Sequence, residues 1–204
     1  YRSDQPCGDG LKPVCPEVAA RTASVIGAEQ EAWLARNLAS RDARWNCIAQ
    51  QIMVMALDRR RRTEEPARIL NMDSWAAYDV PRQRLLARMN GLGNAIVLTG
   101  DEHQNHAGLL NDGDKVVAAE FVATSISSGG NGSDLRPGSE QFMAFNPELK
   151  FVNDQRGYLT CEVTAEAWRT NFMVVDQVSS ADCTLSRRAV GEVAHGEPGL
   201  RMTA

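Results

Sequence analysis

Asp101 and His103 lie two residues apart, directly after a short apolar run, and form a pair with clear ligand chemistry. The run, residues 94–99 (NAIVLT), is typical of a strand covered on both faces. Gly100 lets the backbone turn sharply, so that a carboxylate and an imidazole can face one centre. This ligand pair suits a hard or borderline cation, and no cysteine pair lies beside it to indicate structural zinc. The pattern indicates a metal site at the carboxyl end of a central strand, where open α/β sheets place their sites.

Ordinary structural roles compete with that interpretation. Aspartate also caps helices, and histidine often only satisfies a backbone carbonyl, so the D-x-H spacing taken alone favours such a role. Among the other histidines, His106 is the weaker ligand candidate because it lies three residues further on, where we expect it to be exposed. His195 lies in a segment without a periodic pattern, and we assign it no function.

A run of charged residues, DRRRRTEEP at 58–66, contains four consecutive arginines. Clustered guanidinium groups favour phosphate binding. However, Glu64 and Glu65 follow at once, and mixed charge runs are usually solvated loops. We therefore expect a solvated loop here rather than a phosphate site.

Two helices are predicted upstream of the D-x-H pair. Residues 28–38 place apolar side chains at helical spacing and carry acids in the first turn, where the helix dipole favours them. Residues 81–90 have a proline in the first turn and a glycine just past the end. The tail after Ser186 shows no periodic pattern, and residues 127–138 form a predicted mobile loop.

Strands are predicted over residues 45–55, 94–99 and 116–126 from their apolar and β-branched content. A hairpin is predicted over 157–164 and 168–175, with Leu159, Cys161 and Val163 on one face and Trp168, Phe172 and Val174 on another. Helices early and strands late predict a layered α/β architecture.

Composition excludes several classes of protein. The 204 residues carry a net charge of -4, which gives no broad positive field for nucleic acid or anionic lipid. No apolar run is long enough to form a transmembrane segment. The sequence begins at Tyr1 without a methionine or signal peptide, so we expect a processed chain, a recombinant segment or a fragment.

The five cysteines are Cys7, Cys15, Cys47, Cys161 and Cys183. A local disulfide between the first two would restrain a loop rich in proline and glycine, and we favour that pairing. A bridge between Cys161 and Cys183 is a further alternative, as is a chain with every cysteine reduced. Cys47 lies among apolar residues and is expected to be a buried thiol.

Several segments, in order along the chain, resemble the PhoD-type phosphatase family. The segments before the D-x-H pair are YRSDQPCG at 1–8, the Trp33-Leu34 helix, WNCIAQQIMVM at 45–55, which resembles WxxIxQQxMM, and DSWAAY at 73–78 with Arg82 and Arg84. The later segments are NAIVLTGDEH at 94–103, which resembles VVLTGDxH, then EFV at 120–122 through Ser128, Asn146-Pro147, Phe151 and RGY at 156–158. Agreement at so many ordered points is specific and covers nearly the whole chain.

The resemblance implies that residues 1–204 are the C-terminal portion of a metallophosphoesterase domain. Such a domain is an α/β/β/α sandwich, in which helices flank two packed sheets. It implies Asp101 and His103 as metal ligands in a centre that contains calcium and iron, with other divalent metals as alternatives. The family's remaining ligands belong to segments N-terminal to Tyr1, so the implied partner is the N-terminal half of the same enzyme. The implied location is secreted or periplasmic.

The implied activity is hydrolysis of phosphate monoesters, phosphodiesters or both, as in an alkaline phosphatase or phosphodiesterase. Because secreted phospholipase D enzymes are related to this family, a phospholipase D-like phosphodiesterase is an alternative. A second alternative is an inactive fragment that acts only as a folded interaction module. An N-terminal companion chain would discriminate between the enzyme and the module.

Overall fold

The computed structural model describes residues 1–65 and 67–203, and Pro66, the last residue of the arginine run, lies outside them. Two short 3-10 helices, Pro16–Ala19 and Trp75–Ala77, accompany the main elements. In chain order these are β1 (Leu11–Pro13), α1 (Ala28–Ser40), β2 (Asn46–Ala49), β3 (Ile69–Asn71), α2 (Asp79–Met89), β4 (Ala95–Thr99), β5 (Asn105–Asp112), β6 (Lys115–Val122), α3 (Ser139–Phe145), β7 (Leu149–Asn153), β8 (Gly157–Val163), β9 (Ala167–Val175), β10 (Leu185–Ala194) and β11 (Arg201–Thr203).

A five-stranded sheet has the order β2-β4-β6-β5-β7. Strand β4 is parallel to β2 and to β6, while β5 runs antiparallel to both of its neighbours. The apolar run at 94–99 is therefore a central strand, which confirms the prediction. Both predicted helices are also present, with ends within two residues of those expected.

A four-stranded antiparallel sheet has the order β11-β10-β9-β8, with the predicted hairpin as β8 and β9. The expected division of its side chains between two faces is wrong. Leu159 lies opposite Phe172, and Val163 lies opposite Trp168, so these side chains share one face. That face carries much of the core between the sheets.

The two sheets and the helices form packed layers. Helices α1 and α2 cover one face of the five-stranded sheet, where Leu38, Leu86 and Met89 pack with Val97 of β4. The other face packs on the four-stranded sheet through Phe121 and, in the partner layer, aromatic residues such as Phe172. The α/β class and the packing of two sheets are confirmed.

The strand predicted over 45–55 is shorter in the structure, because β2 ends at Ala49. Residues 53–55 are fully buried without strand pairing, since the backbone amides of Val54 and Met55 donate to the Glu120 carboxylate instead. The tail after Ser186, predicted to lack pattern, forms most of β10 and all of β11. A bulge between Arg187 and Ala189 breaks the alternation that would have identified β10.

Among the cysteine pairings considered, Cys7 and Cys15 are bonded, as favoured from the sequence. Cys161 and Cys183 are free, so that alternative is wrong in this structure. Cys47 is exposed rather than buried, because β2 is an edge strand.

Strands β2 and β8 are the unpaired edges of the two sheets on the same side of the molecule. Two hydrogen bonds place them there: the Trp45 indole donates to the Thr164 carbonyl at 2.7 Å, and Arg44 Nε donates to the Ala165 carbonyl at 2.7 Å. An incomplete core would leave Ile48, Ile52, Val54, Ile96 and Leu98 uncovered near such an edge, yet Val54 and Ile96 are fully buried. Ile48, Ile52 and Leu98 are half-buried.

The open edges predict self-association of the isolated chain, because unpaired strands present free backbone groups beside exposed apolar side chains. Val163 of β8 is 49% exposed, and Ile126, which lines a cavity with Ala49 of β2 and Tyr158 of β8, is 70% exposed. Light scattering should give masses above the 22.3 kDa of the monomer. The double substitution Ile126→Lys with Val163→Lys should shift the chain toward monomer, whereas Leu11→Lys in β1 should not. A monodisperse wild-type monomer would contradict the expectation.

Candidate active site at the end of the central strand

The loop at residues 100–104 connects the end of β4 to the start of β5. Two of its residues have left-handed backbone conformations, Asp101 with φ 73° and His103 with φ 54°. Non-glycine residues adopt this region rarely, and such residues concentrate at functional sites. The conformation places both side chains outward, where both are exposed.

Contacts from three directions hold the 100–104 loop. The Gly100 amide donates to the Gln51 carbonyl at 3.3 Å, and Arg156 Nη1 donates to the His103 carbonyl at 3.0 Å. Glu102 forms an ion pair with Arg59. The loop is therefore fixed through its backbone and through Glu102.

The side chains of Asp101 and His103 have no hydrogen-bond or ion-pair partner within residues 1–65 and 67–203. Both ordinary roles considered from the sequence, a helix cap and an imidazole bonded to a backbone carbonyl, are thus unfilled. An exposed carboxylate and an exposed imidazole, two residues apart in sequence, fit the ligand set of a calcium or iron ion in chemical type.

A third ligand does not join this pair in the described part of the chain. The group of potential ligand atoms that does lie together comprises Cys7, Cys15 and Glu17. Its two sulfurs form a disulfide and offer no thiolate, which a metal ligand requires. With Asp101 and His103 as candidates, the described residues offer two potential ligand groups here, fewer than a closed metal site needs.

Comparison with known proteins connects this geometry to a family. The family model for PhoD-like phosphatases matches residues 1–172. Alkaline phosphatase D of Bacillus subtilis strain 168 is 38% identical over 208 aligned residues, which cover 98% of this chain and 35% of that protein. The chain belongs to the PhoD-like phosphatase family. A solved structure of PhoD superposes on this chain with a TM-score of 0.93 and 37% sequence identity. The match covers 100% of this chain and 40% of the PhoD chain.

This PhoD-like chain therefore spans 35% of the length of the curated relative that it matches. The solved PhoD structure covers β10 and β11 as well, although the family match ends at residue 172. No helix among the described residues has the length and apolar character needed to cross a bilayer.

Glu120 on β6 lies in the EFV segment named from the sequence, but sequence reasoning assigned it no role in the site. Its carboxylate accepts hydrogen bonds from the amides of Val54 and Met55 at 2.7 and 2.6 Å and from the Thr99 hydroxyl at 3.0 Å. Complete burial raises its pKa to about 7, while these hydrogen bonds and the Arg82 charge oppose the rise. Glu120 thus joins the segment after β2 to the end of β4, directly below the loop. A single acid in the apolar run KVVAAEFV was the available signal.

Arg156 is the second such residue, and its side chain is fully buried. Besides the His103 carbonyl, its guanidinium donates to Ser125 Oγ at 3.0 Å and to the Ser128 carbonyl at 2.7 Å. It also pairs with Asp154 at 2.7 Å. Arg156 therefore links the 100–104 loop to the segment that follows β6.

The two remaining histidines are separate from the Asp101 and His103 pair. His195 packs edge-on against Trp45, with ring centroids 5.3 Å apart, at the opposite end of the five-stranded sheet. His106, expected to be exposed, is fully buried on β5. The prediction failed because β5 begins at Asn105, which turns His106 into the core against Phe142, with ring centroids 6.1 Å apart.

Burial of His106 predicts a specific pH dependence of stability. Both ring nitrogens lack a partner among the described residues. Burial, with the charges of Arg59 and Arg136, lowers its pKa from 6.5 to about 3. The unfolded chain therefore takes up a proton below pH 6.5 that the folded chain refuses, so stability falls as pH decreases from there toward 3. The stability that comes from keeping His106 neutral is fully present above the unfolded-state pKa of 6.5.

His106→Leu should remove this acid sensitivity. Between pH 7 and pH 5 the wild-type chain should lose about 2 kcal/mol of unfolding free energy relative to the variant. Urea denaturation at the two pH values measures it. His195→Leu, which removes a histidine outside this core, should keep the wild-type dependence. Equal dependence in wild type and His106→Leu would show that His106 is not buried in the neutral form.

Proposed function

We propose that this chain contributes part of the metal centre of a phosphoric ester hydrolase of the PhoD type. The observation that carries the proposal is the pair Asp101 and His103, exposed and unpartnered among the described residues, on a fixed loop in a chain of this family. The relative from Bacillus subtilis is an alkaline phosphatase. The proposed substrates are phosphate monoesters, phosphodiesters or both, because the pair binds metal in either reaction and selects neither.

Asp101 and His103 would hold metal rather than transfer protons. The carboxylate suits calcium or iron, and the imidazole suits iron, so calcium and iron are the proposed ions, with other divalent cations sharing this ligand chemistry. Bound cations would neutralise phosphate oxygens and stabilise the leaving oxygen. Glu120 and Arg156 would position the pair by fixing the loop from below and from the side.

We further propose that residues 1–204 act as the C-terminal portion of a longer enzyme core, completed by polypeptide that corresponds to the N-terminal part of the relative. The chain accounts for 40% of the solved PhoD chain and supplies two ligands of the proposed centre. The open edges β2 and β8 offer backbone groups to such a partner. The same edges support the alternative of a folded interaction module without activity.

A location outside the cytoplasm is part of the proposal. The Cys7–Cys15 disulfide supports it, since disulfides persist in oxidising compartments. A secreted or periplasmic enzyme would also meet phosphate esters from the surroundings.

The isolated chain should hydrolyse p-nitrophenyl phosphate no faster than a blank, because two ligands are too few to hold a catalytic centre. Adding the polypeptide that corresponds to the N-terminal part of the relative should restore turnover. Nitrophenol release, measured by absorbance with calcium and iron present, tests both statements. Turnover by the pure chain alone would contradict the need for a partner.

Asp101→Asn and His103→Ala should each lower metal content and activity together in the assembled enzyme, because each removes a direct ligand. Activity should fall about 100-fold or more, because loss even of a residue that only supports a metal ligand lowers metal affinity or activity by about 10- to 100-fold. Elemental analysis of the purified variants gives the metal content. His195→Ala should change neither quantity. Unchanged metal content in both ligand variants would exclude them as ligands.

A further inference from the structure

A groove of about 510 Å³ lies beside the 100–104 loop. It is bounded by the segment after Asp58, by Gln104 of the loop and by the start of α3. Four guanidinium groups line it, and no carboxylate of the described residues does. The lining residues that matter here are Arg59, Arg60, Arg61, Gln104, Arg136 and Phe142. We refer to it as the arginine groove.

Carboxylates outside the lining hold three of these arginines in place. Arg59 pairs with Glu102 and lies over the Phe142 ring, 5.0 Å from its centroid. Arg60 pairs with Asp58 at 2.8 Å, and Arg136 pairs with Asp154 at 2.6 Å. The partner carboxylates are nearly buried, with 8%, 4% and 8% of their side-chain surfaces exposed. Such pairing fixes the guanidinium groups before a ligand arrives and lowers the entropy lost on binding.

Donor capacity remains after these pairs have formed. A guanidinium has five N–H donors, and the carboxylate partners use only some of them. The Arg59 Nε atom is buried and has no partner among the described residues. The Arg61 guanidinium forms no ion pair within the described chain, and only its backbone amide bonds to Glu65. The lining therefore has unused donors, and Arg61 adds a guanidinium that forms no ion pair among the described residues.

The two uncharged polar groups beside the arginines add no negative charge to the groove. His106 lies behind Phe142 and is neutral at ordinary pH, since burial lowers its pKa to about 3. Gln104 contributes an uncharged amide that both donates and accepts. The sequence expectation of a solvated loop over the arginine run is thus wrong for Arg59 and Arg60, which are half-buried and paired, and holds for the exposed Arg62.

We propose that the arginine groove binds a phosphate group other than the one being hydrolysed, so that substrates with a second phosphate close to the scissile ester are preferred. This substrate class rests on the proposed function of the 100–104 loop. Guanidinium groups match phosphate in charge and in bidentate geometry. Gln104 of the groove lies next to His103 in sequence, and Glu102 joins the loop to Arg59, so the groove and the candidate ligands share one loop and the two phosphates would bind close together.

Phosphate binding to the isolated chain tests the groove without relying on catalysis. The chain is freed of metal by chelation and dialysis, and inorganic phosphate is titrated calorimetrically at constant ionic strength. Arg61→Ala should weaken phosphate about fivefold, because this guanidinium is exposed but has no carboxylate to leave unpaired. Arg136→Lys, which keeps the charge and loses the planar fork, should weaken it by a smaller factor.

Two controls accompany that titration. Arg187→Ala removes an exposed arginine on β10 with the same change in net charge, and it should leave phosphate affinity unchanged. Asp101→Asn should also leave it unchanged in the metal-free chain. Absence of saturable binding, or equal weakening by Arg61→Ala and Arg187→Ala, would overturn the proposal.

The assembled enzyme gives the second test. Arg61→Ala should raise KM for propane-1,3-diol bisphosphate about fivefold and leave KM for propyl phosphate unchanged. Equal effects on the two substrates would overturn the second-phosphate preference. If the wild-type assembly shows no turnover but the chain still binds phosphate, the proposed function is contradicted and the groove stands as an anion-binding site.

Discussion

The buried carboxylate of Glu120 determines how the candidate site is assembled. It accepts hydrogen bonds from two backbone amides of the segment after β2 and from the hydroxyl of Thr99 at the end of β4, so one side chain of β6 joins two other stretches of the chain. Those amides have no strand partner, and a buried amide without a partner costs free energy comparable to a lost hydrogen bond. The loop that carries Asp101 and His103 therefore starts from a fixed point at Thr99.

Arg156 holds the far side of the same loop. A fully buried guanidinium is stable only when its charge and donors are satisfied, and Asp154 together with backbone carbonyls and a serine hydroxyl does so. One of those carbonyls belongs to His103. The left-handed conformations of Asp101 and His103 are thus maintained by contacts to the backbone, which leaves both side chains free for a ligand.

The ion pair between Arg59 and Glu102 connects the proposed metal site with the arginine groove. Both features share the 100–104 loop, and each uses residues that the other leaves free. The open edges of β2 and β8 lie elsewhere, on the side where the two sheets meet through Trp45. Completion of the core by a partner at those edges is therefore compatible with a groove and a loop that already have their shapes.

The local sequence pattern was enough to predict those elements whose conformation is determined by residues close in sequence. The helices α1 and α2, the central strand β4 and the hairpin of β8 and β9 were predicted because apolar spacing and terminal residues are local properties. The position of Asp101 and His103 after β4 followed from the same run. The Cys7–Cys15 disulfide closes a short loop, and the proline and glycine content of that loop favoured it.

Tertiary contacts decided the rest. The burial of His106 depends on strand pairing of β5 with β6 and β7, and one residue of register sets which face it takes. Strand β2 ends early because Glu120, distant in sequence, supplies partners for the amides that follow. Arg59 and Arg60 are half-buried because Glu102 and Asp58 form ion pairs with them, and only the tertiary fold brings Glu102 to Arg59. The sequence by itself determined the local elements and the D-x-H pair, while non-local pairing of charges and amides, which no local pattern encodes, decided how the site is held.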